Sequence, residues 1–183
     1  ENLMVPSNLT ELIQCHLAIE LFDYDIAIDW SLNLMANGIE SENILILSSF
    51  SKPADPFEIR PYITAALADL HLQEFTGIRA ELRKARYHLT EVLDDCSVRN
   101  QLKQLADLCV KTEYDYGLTP FYLLYHGWNE VDEEGVNLYY KGATQSNIDR
   151  IVKEEASKWL GQFEELEQSL PTASDAHKQG YPH

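Results

Sequence analysis

The sequence predicts an all-α fold, an irregular helical array or bundle of about seven to eight antiparallel helices. Three observations lead there. Apolar residues recur at i, i+3, i+4 and i+7 in segment after segment, the spacing of one helix face. Residues that start and stop helices frame those segments. Only "VNLYY", residues 136–140, has the β-prone character of a strand, and it is carried as one short β segment. The expected organisation is one helical domain over residues 1–167, followed by a polar, poorly ordered tail over 168–183. A chain of 183 residues can bury roughly two-thirds of its unfolded surface, so its core needs no disulfide or metal staple.

Each element follows from local chemistry. Asn8 and Glu11 have capping-box spacing ahead of Leu9, Leu12, Ile13, Leu17 and Leu21. Asp23 is placed to cap a helix over 24–37, which Gly38 ends, glycine being the usual left-handed C-terminal residue. Ser41 opens a short helix through "ENILILSS". Asp55, Pro56 and Glu58 combine a cap, a first-turn proline and a third-position acid, with Pro61 expected to kink that helix or delay its start. From about Thr76 to Asp95, Ile78, Leu82, Ala85, Leu89 and Val92 share a stripe, and Val98, Leu102, Leu105 and Cys109 repeat it from Val98 to Glu113. Thr119–Pro120 starts a seventh helix. Ser146 with Asp149 boxes an eighth, whose Ile148, Ile151, Val152, Trp159 and Phe163 face inward.

The stretch "FDYDIAIDWSLNLMANG" resembles the turn and second helix of a tetratricopeptide-type hairpin. The resemblance spans residues 12–37, and nothing matches it 34 residues further on, whereas a solenoid stacks several repeats. It implies an antiparallel helix pair at that point of the chain.

Charge is the strongest global signal. Thirty acids against 14 bases leave −16, with 11 acids and 2 bases in residues 1–70, six of each in 71–110, and 13 against 6 in 111–183. Such a surface repels phosphates and anionic lipid and attracts basic proteins. No apolar run approaches a membrane span, and no basic-then-apolar signal layout opens the sequence, so the expected compartment is the cytoplasm. Three cysteines, Cys15, Cys96 and Cys109, without a C-x-x-C read as buried thiols.

Motifs for nucleotide, zinc-protease, hydrolase and di-iron chemistry are absent. His16 with Glu20, and His126 with Glu130, have i, i+4 spacing that suits a metal only if further ligands arrive from elsewhere. Neither a metal site nor a catalytic residue is assigned, and no cofactor is expected. Arg79, Arg83 and Arg86 make a cationic stripe that is expected to pair with acidic neighbouring helices.

The densest chemistry lies in "FYLLYHGWNEVDEEGVNLYYKG", residues 121–142. Phe121, Leu124, Tyr125 and Trp128 fall on one helical face and read as core. Tyr122, Tyr139 and Tyr140, with Tyr114 and Tyr116 upstream, are candidates for a partner-binding rim edged by Glu130, Asp132, Glu133 and Glu134. Aromatics beside carboxylates suit a cationic partner. The expected function is therefore a non-enzymatic, acidic helical interaction module that docks a basic protein, an inhibitor shielding a cationic toxin or nuclease being one concrete form. Two alternatives stand beside it. One is an enzyme with a metal-dependent His/carboxylate site outside known motifs. The other is a structural subunit without small-molecule chemistry.

Overall fold

The structure is a computed structural model in which residues 8–170 are described. Among them the fold is all-helical, with eight helices and no strand. In chain order these are α1 (Asn8–Gln14), α2 (Asp25–Ala36), α3 (Glu42–Ser48), α4 (Pro56–Asp69), α5 (Gly77–Leu93), α6 (Val98–Lys111), α7 (Thr119–Glu134) and α8 (Ile148–Gln168). The chain divides into two compact units, the first ending at Tyr87 and the second beginning at His88, so the division falls within α5.

In the first unit, α1 packs on α2, α2 on α3 and α3 on α4. The local signals act as their chemistry requires. Ser41 Oγ accepts from Ile44 N at 3.3 Å, and Asp55 Oδ1 accepts from Phe57 N at 2.7 Å. α4 begins at Pro56 and runs through Pro61, which does not delay its start. Trp30 is wholly buried among Ile13, Leu34, Ile44 and Ile63, and its indole N–H donates to Thr10 Oγ1 at 3.0 Å. Burying such a side chain contributes about 1.5–3 kcal/mol provided its polar atom is satisfied. Arg83 and Arg86 pair with Glu11, at 3.4 and 2.6 Å, so this part of the cationic stripe is internally matched.

The first helix is shorter than its apolar spacing suggests. Gln14 O accepts from Phe75 N at 2.8 Å, and Ala18 N turns back to Cys15 O instead. A distant backbone group thus takes the carbonyl that an extended α1 needs for its next bond. Leu17 is half exposed and Leu21 almost fully so, with Leu21 in the left-handed region at φ 52°. Of the tetratricopeptide-like stretch, residues 12–37, the second helix forms as α2, and α1, which packs on it, covers only residues 12–14 of the part before the turn. Asp23 Oδ1 accepts from Asp25 N at 3.0 Å there. The side chain of Asn8, the first half of the expected capping box, lies outside the described residues.

In the second unit, α6 packs on α7 and α7 on α8. Leu102, Leu105 and Cys109 from α6, Phe121 and Leu124 from α7, and Val152, Trp159 and Phe163 from α8 are buried. Cys96, by contrast, is exposed. Ser146 does not box α8: its hydroxyl lies 3.1 Å from Thr144 Oγ1, and Asn147 is the N-cap without a side-chain cap bond. α8 runs to Gln168 and Leu170 is buried, while the rest of the expected tail, residues 171–183, lies outside the described residues.

Residues 136–140 are not a β segment. The backbone groups a strand offers to a neighbour are bound by side chains here. Asn137 Oδ1 accepts from Tyr139 N and Tyr140 N at 2.9 and 3.0 Å. Its Nδ2 donates to Tyr140 O and Ala143 O, and Leu138 N donates to Glu130 Oε2 at 2.7 Å. One asparagine and one glutamate close the stretch into a turn.

Candidate functional site

Two features of the second unit gather side chains capable of recognition. The first is a string of rings on the flank of α7. Tyr114 meets Tyr122 edge-on at 5.3 Å between centroids, Tyr122 meets His126 at 4.5 Å, and His126 lies 5.5 Å from Tyr139. Tyr125 also meets His126, at 5.2 Å. Helical geometry makes the central contact, because Tyr122 and His126 are four residues apart on α7. The ends come from the loop after α6 and from the turn after α7. Hydrogen bonding to Tyr122 pushes the Tyr114 phenol above its ordinary pKa. Tyr114 and Tyr139 are both about half exposed, and Val136 and Leu138, on the same turn as Tyr139, are exposed too.

Carboxylates edge this string, and they divide by task. Glu130 holds Leu138 N and so fixes the turn that carries Tyr139. Asp132 forms an ion pair with Arg99, which also donates to Asn129 Oδ1 at 2.7 Å and lies over the Trp128 ring at 5.3 Å. Glu133 and Glu134, the last residues of α7, are exposed. Across residues 111–143 there are six acids and two bases, a local balance of −4.

The second feature is a cleft of about 500 Å³ lined by the loop Asp115–Gly117, the start of α7 and one face of α8. Phe121 and Trp159 lie at its base and are buried. The loop beside it is held in an uncommon shape: Glu113, Tyr114 and Tyr116 all have positive φ, at 56°, 64° and 58°. Left-handed backbone costs an ordinary residue roughly 1–2 kcal/mol, so other bonds must hold it. Tyr114 N donates to Cys109 O at 2.8 Å, Tyr116 N to Asp115 Oδ1 at 2.7 Å, and Trp159 Nε1 to Tyr116 O at 2.9 Å. Gly117 is also left-handed, and a Cβ there would sit 3.5 Å from the Trp159 ring.

The nine residues predicted to bind a partner therefore separate. Tyr114, Tyr122 and Tyr139 join one string, with Glu130, Asp132, Glu133 and Glu134 along the same helix and its end. Tyr116 belongs to the cleft. Tyr140 faces α8 and donates to Glu155 Oε1 at 3.1 Å; burial and that bond raise its pKa. His126, which spacing places in a metal pair with Glu130, is instead the hub of the string. Its position four residues beyond Tyr122 is the sequence signal for that role. Periodicity assigns Phe121 and Trp159 to the core, and it does not separate a core ring from one at the base of a cleft.

The two histidines with i, i+4 acidic neighbours have other contacts, His16 with Glu74 and His126 with Tyr122. His16 Nε2 hydrogen-bonds Glu74 Oε1 at 2.8 Å, and residue 16 lies beyond the end of α1, so helical i, i+4 spacing to Glu20 does not hold there. Glu130 is committed to a backbone amide. Among the described residues no three His, Cys, Asp or Glu side chains converge. Nor is any helix among them long and apolar enough to cross a membrane. No family model matches the chain, and no curated protein or solved structure is significantly similar to it.

Proposed function

We propose that the second unit is a non-enzymatic docking module whose acidic, aromatic face takes a basic segment of a protein partner. The observation that carries this reading is the ring string from Tyr114 through Tyr122 and His126 to Tyr139, beside the exposed carboxylates Glu133 and Glu134. Ring faces attract lysine and arginine side chains, more strongly as water is excluded. Tyrosine brings large contact area at small cost in conformational entropy and is enriched where binding energy concentrates. The chain's excess negative charge steers a basic partner towards it and weakens that attraction as salt rises. Support also comes from the way the turn after α7 is fixed, since a preorganised Tyr139 loses little freedom on binding. The proposed setting is cytoplasmic, with neither nucleic acid nor membrane as the partner.

The test uses the whole chain as bait for soluble proteins, beside a Tyr122→Ala/Tyr139→Ala double variant, with washes at about 50 mM and about 500 mM salt. The expected result is a basic protein held by the wild type at low salt, released at high salt, and lost by the double variant. Circular dichroism of that variant confirms that it is folded. If retained proteins ignore both salt and the tyrosine substitutions, or nothing is retained, the reading fails.

A further inference from the structure

The connection that closes α2 carries the only Asn-Gly pair in the sequence, Asn37–Gly38, and both residues are exposed. Glycine has no side chain to shield its own amide, so this pair is the chain's most direct route to a succinimide. In that reaction Gly38 N gives up its proton and bonds to Asn37 Cγ, while Nδ2 leaves as ammonia and takes up a proton in turn. Water then opens the ring at either carbonyl, leaving aspartate or isoaspartate. Water is the only co-reactant.

The folded cap holds each participant away from that step. Gly38 is left-handed at φ 75°, and Gly38 N and Ile39 N donate to Met35 O and Leu34 O at 2.9 and 3.0 Å, the paired bonds of a Schellman cap. The proton on the attacking nitrogen is thus already engaged. Asn37 Nδ2 donates to Asn33 O at 2.8 Å, which fixes the carboxamide against the helix end. The torsion opposes ring closure too. Asn37 ψ is 11°, so Gly38 N lies almost eclipsed with Asn37 N, whereas a five-membered ring requires it eclipsed with Asn37 Cβ. Turning the peptide that far takes Gly38 N away from Met35 O. Ile39, buried in the same core cluster as Leu34, anchors the chain against that rotation.

We infer that Asn37 is a covalent modification site whose deamidation proceeds only when the cap ending α2 opens. The change runs one way. Either product puts a carboxylate at the C-terminal end of α2, where free carbonyls already make a negative pole, and removes the donor to Asn33 O. Isoaspartate also adds a backbone carbon inside the loop closed by the Ile39–Leu34 bond, so the same cap cannot reform. Asn37 therefore keeps a permanent record of opening in the first unit, independent of the docking face in the second.

The full chain, folded and in urea, is incubated in mildly alkaline buffer, and peptide mapping by mass spectrometry follows each asparagine. In urea Asn37 should be modified ahead of every other asparagine. In the folded chain its rate should be at least tenfold lower, an opening free energy of about 1.4 kcal/mol or more. Ile39→Val, with its fold checked by circular dichroism, loosens the anchor and should speed the folded-state reaction severalfold while leaving the rate in urea unchanged. Sub-denaturing urea should speed the wild-type reaction in the same way. Less than a tenfold difference between folded and unfolded chain overturns the inference, because the cap then gives no protection. So does a folded-state rate that ignores both Ile39→Val and sub-denaturing urea, or another asparagine reacting first in the unfolded chain.

Discussion

His16 illustrates how one side chain links burial to pH. It is almost fully enclosed, with Phe22 and Tyr24 edge-on at 6.2 and 6.1 Å, and only its Nε2 has a partner, the Glu74 carboxylate that also accepts from Thr64 Oγ1. Burial lowers its pKa, more than the opposing hydrogen bond and charge of Glu74 raise it, and the Arg60 guanidinium lowers it further. The folded chain therefore prefers the neutral ring, while the unfolded chain takes up a proton near pH 6.5. Stability from this group is complete above about pH 6.5 and declines as pH falls towards the lower native value, where the loss levels off. Denaturant unfolding measured from about pH 7.5 to about pH 5 should show that decline in the wild type and a shallower one in His16→Gln. Equal slopes would assign the acid sensitivity to other groups. Helical spacing alone assigns His16 a different partner, Glu20, because the bond that ends α1 comes from Phe75, about sixty residues away.

At the scale of elements, the turn after α7 depends on a contact between a glycine and an asparagine. A Cβ at Gly127 would lie 2.6 Å from Asn137 Oδ1. An isolated asparagine could move aside, but this one makes four backbone hydrogen bonds and cannot do so without breaking them. Gly127→Ala gains about 1 kcal/mol of helix propensity and loses roughly 1–3 kcal/mol to overpacking, so net destabilisation is expected. In an Asn137→Ala background the same substitution should become stabilising, and chemical denaturation of the four-member cycle measures that change of sign. Additive effects would show that the contact does not matter. Caps were legible from sequence because they are local. Ser41, Asp55 with Pro56, and Gly38 and Gly135 at helix ends act within a turn of the residues they terminate. The 136–140 turn was not legible, since its apolar and aromatic residues suit a strand and only the reach of Glu130 and Asn137 turns it. The ring string lay between these cases: its α7 members follow from spacing, and its ends from loops that spacing does not describe.

For the whole molecule, charge governs the response to solvent. Thirty acids against 14 bases repel one another in any compact arrangement, and the pairs of Glu11 with Arg83 and Arg86 and of Asp132 with Arg99 relieve only part of this. Raising salt from about 10 mM to about 150 mM shortens the range of repulsion from some 30 Å to some 8 Å. Stability should then rise by about 1 kcal/mol, or roughly 2–4 °C in Tm, as calorimetry can follow. A fall in Tm would mean that the ion pairs outweigh the repulsion. The same salt range weakens the proposed docking, so folding and binding should respond to salt in opposite directions. The three tryptophans offer a way to watch this. Trp30 is the first unit's only indole and is sealed from water, whereas Trp128 and Trp159 belong to the second unit and stand at different depths. Each half of the chain thus carries its own intrinsic fluorophore. Replacing the other unit's indoles leaves an emission signal that belongs to one unit alone, with no dye attached.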